Sequence, residues 1–165
     1  MGVQLLFAVE TNKKCDSDWI YINSTIEHFY IVDNSHVKLN HQYMDGKGNY
    51  KNIKSKINKE IDKYSKASDN NKTYVIYCFD CDEYDINQKE KNFLEEAKIY
   101  CEKNSYDFVW FCKDIEQVYL GERIDDSEKK SRAVAFMKKD AIKHIDTRTL
   151  NQKQYKTGTS NLMTI

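Results

Sequence analysis

The sequence has no excess of either charge, because its 165 residues include 26 Lys and Arg and 26 Asp and Glu. Net charge therefore gives no indication of a nucleic-acid partner, although the distribution of charge can still matter. Proline is absent, which together with the many Lys, Asn, Ile and Tyr residues indicates coding by an AT-rich genome. Hydrophobic residues make up 40% of the chain, which excludes a disordered protein and predicts one globular domain over 1–165.

Long apolar runs are also missing. No stretch is long enough to span a membrane, and the apolar segment 3–9 lacks the basic flank of a signal peptide. The five cysteines are odd in number and lack the spacing of a disulfide framework. Cys78 and Cys81 form a CxxC spacing, but residues three apart in a strand point to opposite faces. These absences predict a cytoplasmic protein with free thiols and no zinc site.

One segment combines a buried strand with an acidic end. Residues 74–79 are apolar or aromatic without interruption, and Asp80, Cys81, Asp82 and Glu83 follow. Such a run predicts a strand buried on both faces. If the strand persists, Asp80 and Asp82 project from the same side, and bound Mg²⁺ or Mn²⁺ relieves their repulsion. The alternative is a turn with acidic caps, which Asp favours.

Strand and helix patterns alternate along the chain. Strands are predicted at 3–9, 36–44, 74–79 and 107–112, the second of them peripheral. Helices are predicted from a cap at 16–18 through Tyr30, and at 52–67, 87–103, 113–121 and 128–145, the last capped by Ser127. This order predicts an α/β fold with three layers, in which helices flank a mostly parallel four-stranded sheet. The core covers about 3–120, and 121–165 forms a C-terminal helical extension.

Acidic residues follow three of the predicted strands. Glu10 follows the first strand, Asp80 and Asp82 follow the third, and Glu116 follows the fourth after a few residues. In open α/β sheets, sites gather at the carboxyl ends of the strands. Carboxylate oxygens are the ligands that hard divalent cations prefer, and one further carboxylate can act as general base or second-metal ligand.

The arrangement of these motifs resembles the Toprim fold of topoisomerases, bacterial primases and OLD nucleases. The nearer resemblance is to its RloB-like bacterial branch, and it covers about residues 3–120. It rests on Glu10 after the first strand, on the segment Phe79-Asp-Cys-Asp-Glu83, and on the later segment Phe111-Cys-Lys-Asp-Ile-Glu116.

The resemblance implies that Asp80 and Asp82 hold Mg²⁺ or Mn²⁺ and that Glu10 is a further metal ligand and the acid–base group. Glu116 matches the later catalytic acid. The chain departs from the family at Thr11, where members usually have Gly. A side chain there restricts a tight turn and a close approach to phosphate, which affects the expected activity more than the fold.

The implied function is a metal-dependent nuclease or related phosphoryl-transfer enzyme acting on DNA or RNA, in bacterial defence or mobile-element biology. Lys113, beside the end of the fourth strand, is the candidate for neutralising phosphate charge. Lys129, Lys130 and Arg132 lie in a basic run that can contact a nucleic-acid backbone. The alternative for this run is a solvated helix face, and the binding interpretation requires that the helix borders the acidic residues.

Two other functions are compatible with the sequence. The first is a catalytically inactive Toprim-like interaction module, with a protein partner or as a homo-oligomer, which Thr11 and the neutral net charge favour. The second is a receiver-like or phosphatase-like domain, which also places aspartates at strand ends. A receiver needs a lysine after a fifth strand, so Glu10 with Asp80 and Asp82 fits the Toprim pattern better.

Overall fold

The structure, a computed structural model, describes residues 2–165. Within these residues the strands are β1 (Val3–Val9), β2 (Val37–Tyr43), β3 (Lys72–Asp80), β4 (Asp107–Cys112) and β5 (Thr159–Ser160). The α-helices are α1 (Ser17–Phe29), α2 (Lys54–Ser65), α3 (Gln88–Lys103), α4 (Ile115–Leu120) and α5 (Lys129–Lys138). Short 3₁₀ segments lie at Lys47–Asn49, Ala141–His144, Thr147–Leu150 and Leu162–Thr164.

The strands form one sheet in the order β2-β1-β3-β4-β5. The strands β1 to β4 are parallel to their neighbours, and β5 runs antiparallel to β4. The predicted α/β class and mostly parallel sheet are therefore confirmed. The fifth strand was not predicted, because its two residues are too few to produce a strand pattern. Since β5 is antiparallel, its end does not supply the lysine that a receiver-like site requires.

Two hydrophobic cores lie on opposite faces of the sheet, as a three-layer fold requires. Along β1, Phe7 and Val9 pack against α1, α4 and α5, whereas Leu6 and Ala8 pack against α2 and α3. These four side chains are fully buried. The apolar runs at 5–9 in β1 and 74–79 in β3 are uninterrupted because both strands lie inside the sheet, covered by helices on both faces.

The helix boundaries differ most from the prediction after residue 127. The predicted cap, Ser127, is not the cap residue, since α5 is preceded by Glu128 without a side-chain hydrogen bond. The helix ends at Lys138 instead of Ile145, because Asp140 adopts a left-handed conformation (φ 52°) that Asp tolerates and a helix does not. The segment 121–165 therefore contributes one α-helix, three 3₁₀ segments and the edge strand β5, instead of a purely helical extension.

The chain contains no apolar helix of the length a bilayer crossing needs, in the part from residue 2 to residue 165. The connection from β1 leads to β2 on one side, and β3 lies on the other side of β1. This reversal of strand order is the topological switch point at which open α/β sheets bind their ligands.

Candidate functional site

Glu10 and Asp80 meet at the switch point between β1 and β3. Glu10 directly follows β1, and Asp80 is the last residue of β3. The backbone N–H of Asp80 donates to Glu10 Oε1 (2.7 Å), and the backbone N–H of Ile115 donates to Asp80 Oδ1 (2.9 Å). The structure therefore brings together two acids that lie 70 residues apart in the sequence.

These two carboxylates line a cleft of about 690 Å³. Its other lining residues include Asp18 from α1 and Lys129 and Lys130 from α5. The basic helix therefore borders the acidic residues, which is the condition that the nucleic-acid interpretation required. A cleft with both carboxylates and ammonium groups can hold a cation and a phosphate together.

Asp18 is a cleft residue that the sequence analysis considered only as a helix cap. Its side chain is buried, and its Oδ2 accepts a hydrogen bond from the Thr11 backbone N–H (3.2 Å). The hydroxyl of Ser17 donates to Asp18 Oδ1 at 3.4 Å. The sequence could have indicated this place for Asp18 through its position in the chain. The helix that follows a parallel strand begins at the edge of the sheet where that strand ends, so the start of α1 lies at the same edge as Glu10.

Asp82 lies beyond the end of β3, so Asp80 and Asp82 do not share a strand face as they would on a continuous strand. The strand ends at Asp80, and Asp82 has a left-handed backbone conformation (φ 47°). The backbone N–H of Asp82 donates to the Lys113 carbonyl (2.7 Å), which turns the chain toward the end of β4. The carboxylate of Asp82 pairs with Lys47.

A second cleft, of about 460 Å³, adjoins the first. Asp80, Asp126 and Lys129 line both clefts, whereas Asp82 lines only the second. Asp80 therefore lies between the positions of Glu10 and Asp82. The alternative to a continuous strand was a turn with acidic caps. Asp82 lies in such a turn, whereas Asp80 is still part of the strand.

Glu116 lies behind the cleft in the first turn of α4. Asp114 caps this helix, since its Oδ1 accepts from the Gln117 N–H (2.8 Å). The Glu116 side chain is fully buried, and neither of its carboxylate oxygens has a hydrogen-bond partner within residues 2–165. The ammonium group of Lys129 lies 3.5 Å from Glu116 Oε2. Glu116 therefore contacts Lys129, which lines both clefts, but Glu116 itself lines neither cleft.

Burial raises the pKa of four carboxyl groups at the site, those of Glu10, Asp18, Asp80 and Glu116. It raises the pKa of Glu10 to about 8, with the charge of Asp18 adding to the effect. It raises the pKa of Asp80 well above the usual range, and the charges of Glu10 and Asp18 add further. The pKa of Asp18 is raised by burial, and the pKa of Glu116 reaches about 7. The common cause is burial in a low-dielectric site, which disfavours the charged form of each carboxyl group.

The three predicted nucleic-acid contacts have different surroundings. Burial alone would lower the pKa of Lys129, but Glu116, Asp80 and Asp18 raise it. The side chain of Lys130 donates to the Lys14 carbonyl (3.0 Å) at the cleft.

Arg132 pairs with Glu122 and is not a lining residue of either cleft. Lys113, the predicted phosphate-neutralising residue, is also outside the clefts. Its ammonium group contacts Glu83 (2.8 Å) and Asp85 (3.4 Å) in the turn after β3. Both side chains therefore neutralise neighbouring carboxylates and are less available for a phosphate than Lys129 and Lys130.

Thr11 forms the turn after Glu10 without needing glycine. The non-glycine residues with positive φ in the region 2–165 do not include Thr11. Its backbone N–H donates a hydrogen bond to Asp18 Oδ2 (3.2 Å). Its buried hydroxyl has no hydrogen-bond partner among residues 2–165. The departure from the family pattern therefore leaves the backbone at this turn in an ordinary conformation.

The donor chemistry of the first cleft suits a hard divalent cation. Glu10 and Asp80 each hold one oxygen on a backbone N–H, which leaves the second oxygen of each for another ligand. No group of three or more Asp, Glu, His or Cys side chains between residues 2 and 165 already has the arrangement of a metal site. A cation would therefore draw Asp18 or Asp82 into its coordination shell, with water completing it.

The centre of the site consists of Glu10, Asp80 and Lys129, with Asp18 and Glu116 beside them. The strand order and the hydrogen bond between β1 and β3 fix its position in the fold. Comparison of the chain with protein-family models, curated proteins and solved structures gave no match.

Proposed function

We propose that this chain is a metal-dependent nuclease or related phosphoryl-transfer enzyme acting on nucleic acid. The observation that supports this most strongly is the junction of Glu10 and Asp80 at the switch point of a parallel sheet (2.7 Å). Open α/β sheets bind ligands at this point. Lys129 and Lys130 line the same cleft, and they suit the phosphate groups of a polyanion.

The charge balance of the site supports a divalent cofactor, Mg²⁺ or Mn²⁺. Asp18, Asp80 and Glu116 lie within electrostatic range of Lys129, and burial opposes the ionisation of these three acids and of Glu10, so their full ionisation would leave an excess of negative charge. At neutral pH this excess is removed either by bound protons or by a bound cation. A divalent ion supplies two positive charges and accepts the carboxylate oxygens that are not hydrogen-bonded.

The residues of the chain have separate roles in this proposal. Glu10 and Asp80 hold the ion, with Asp18 or Asp82 as a further ligand, and a bound ion would polarise the phosphate and acidify water. Glu10 is also the group that exchanges a proton with the reacting oxygen. Lys129, fixed beside Glu116, stabilises the charge that develops on the phosphate, a role that we assign to it in preference to Lys113.

The test is cleavage of plasmid DNA and of single-stranded RNA in Mn²⁺ and in EDTA. We expect Mn²⁺-dependent cleavage that Asp80→Asn reduces by about a hundred-fold or more, since even the residues that support metal ligands typically cost 10–100-fold when mutated. Asp69→Asn is the control, because Asp69 is exposed in the turn before β3, at the opposite end of that strand from Asp80. Cleavage that is equal in wild type and Asp80→Asn would contradict the proposal.

A second candidate is an interaction module that binds a metal or a partner without turnover. The lack of a preformed three-ligand group over residues 2–165 favours it. Binding of Mn²⁺ that depends on Asp80, without cleavage of either nucleic acid, would favour this candidate. A cytoplasmic location belongs to the same proposal and agrees with the five cysteines being free thiols.

A further inference from the structure

Lys47 connects two loops at the edge of the candidate site. It lies in the 3₁₀ segment between β2 and α2, and its ammonium group pairs with the carboxylates of Asp82 and Glu90. Asp82 belongs to the turn after β3, and Glu90 lies in the first turn of α3. A single cation from one loop therefore neutralises two acids that follow β3.

The position of Lys47 is fixed by the loop that carries it. The backbone N–H of Gly46 donates to the Glu10 carbonyl (2.8 Å), and Gly46 has a φ of 103° that residues with a side chain rarely adopt. The ammonium group also lies 5.1 Å from the centroid of the Phe93 ring, within cation–π distance. The side chain of Lys47 is only 19% exposed. The fold thus builds a specific place for this positive charge.

This charge acts on the candidate metal ligands. The charge of Lys47 lowers the pKa of Glu10, whereas the charge of Asp82 raises it, so all three groups lie within electrostatic range of one another. Partial burial alone would lower the pKa of Lys47, but its hydrogen bonds to Asp82 and Glu90 raise it. The ammonium group is therefore charged at neutral pH.

We infer that Lys47 is a positioning residue whose ammonium group holds the Asp82 carboxylate in the place that a bound divalent cation would otherwise take. The ammonium group already contacts Oδ2 of Asp82. A divalent ion entering beside Asp80 therefore competes with this positive charge for the Asp82 carboxylate, because two cations on one carboxylate repel each other. The inference rests on the proposed function only in requiring that the site binds Mg²⁺ or Mn²⁺, and it does not require cleavage.

The test is a titration of the whole chain with Mn²⁺ in the absence of nucleic acid, followed by electron paramagnetic resonance. We expect Lys47→Met to tighten Mn²⁺ binding by about ten-fold, within the usual range for coupling between two bound groups. Lys47→Arg keeps the charge and should retain wild-type affinity. Lys51→Met is the matched control, because Lys51 lies in the same loop but contacts the Tyr50 ring instead of a carboxylate.

A double-mutant cycle with Asp82 separates this role from a general change in charge. In the Lys47→Met background, Asp82→Asn should abolish the gain in Mn²⁺ affinity, whereas it should have little effect when Lys47 is present. Circular dichroism and thermal melting establish that each variant is folded, and Lys47→Gln replaces Lys47→Met if the latter is not.

The outcomes distinguish this inference from the proposed function. If wild type binds Mn²⁺ through Asp80 and Lys47→Met binds it no more tightly, the inference about Lys47 is wrong and the metal site stands. If Lys47→Met binds Mn²⁺ more tightly but no variant cleaves DNA or RNA, the inference stands and the proposed activity is wrong. If neither protein binds Mn²⁺, both are wrong.

Discussion

The sharpest prediction on stability concerns Glu116, a fully buried glutamate whose two carboxylate oxygens have no hydrogen-bond partner within residues 2–165. Burial raises its pKa from the ordinary value of 4.5 to about 7. Below pH 4.5 the group is protonated in both the folded and the unfolded state, and it does not affect stability. As the pH rises from 4.5 to 7, the unfolded chain releases the proton first, so the folded state loses stability.

The size of this loss follows from the two pKa values. Each pKa unit corresponds to about 1.4 kcal/mol, so ionised Glu116 costs about 3 kcal/mol at pH 8 and below about 1 kcal/mol at pH 5. Glu116→Gln keeps the shape and removes the charge. We therefore expect this variant to be more stable than wild type by about 3 kcal/mol at pH 8 and to differ little at pH 5.

Urea unfolding of both proteins at pH 5 and pH 8, followed by circular dichroism, measures this difference. Glu96→Gln on the exposed face of α3 is the control and should match wild type at both pH values. A Glu116→Gln protein that is no more stable than wild type at pH 8 would contradict this prediction. It would indicate that Lys129, 3.5 Å from Glu116, fully compensates the buried carboxylate.

Three further predictions concern the site and its support. Asp18→Asn should weaken Mn²⁺ binding measured by calorimetry by about ten-fold, because Lys47 holds Asp82 and leaves Asp18 as the further ligand, and unchanged affinity would contradict this. Lys129→Met should lower the cleavage rate by about a hundred-fold and Lys113→Met by much less, and the reverse order would contradict the roles assigned here. Tyr119→Phe should lower the free energy of unfolding in urea by about 1 kcal/mol, because it removes the buried hydrogen bond to Thr25 (2.6 Å), and an unchanged midpoint would contradict this.

The sequence was sufficient to predict the parts of the fold that depend on continuous apolar runs. The strands β1 and β3 are buried on both faces, and such strands produce uninterrupted hydrophobic segments. The meeting of Glu10 and Asp80 could also be predicted, because parallel strands end at the same edge of a sheet. Both predictions use rules that do not depend on distant contacts.

The features that could not be predicted depend on contacts between distant segments. The position of Asp82 depends on where β3 ends, and hydrogen bonds to the carbonyls of Phe111 and Lys113 decide this. The strand β5 has only two residues and exists because it pairs with β4. The cleft role of Asp18 has no local residue pattern, and only the position of α1 after β1 indicates it.

In the proposed function, Glu10 and Asp80 share one divalent cation at the switch point of the sheet. Anomalous diffraction from a crystal soaked in Mn²⁺ would locate this ion. We predict a Mn²⁺ peak about 2.0–2.6 Å from a carboxylate oxygen of both residues, the range of hard cations with oxygen ligands. A Mn²⁺ peak at another place in the molecule, with none between Glu10 and Asp80, would contradict the claim.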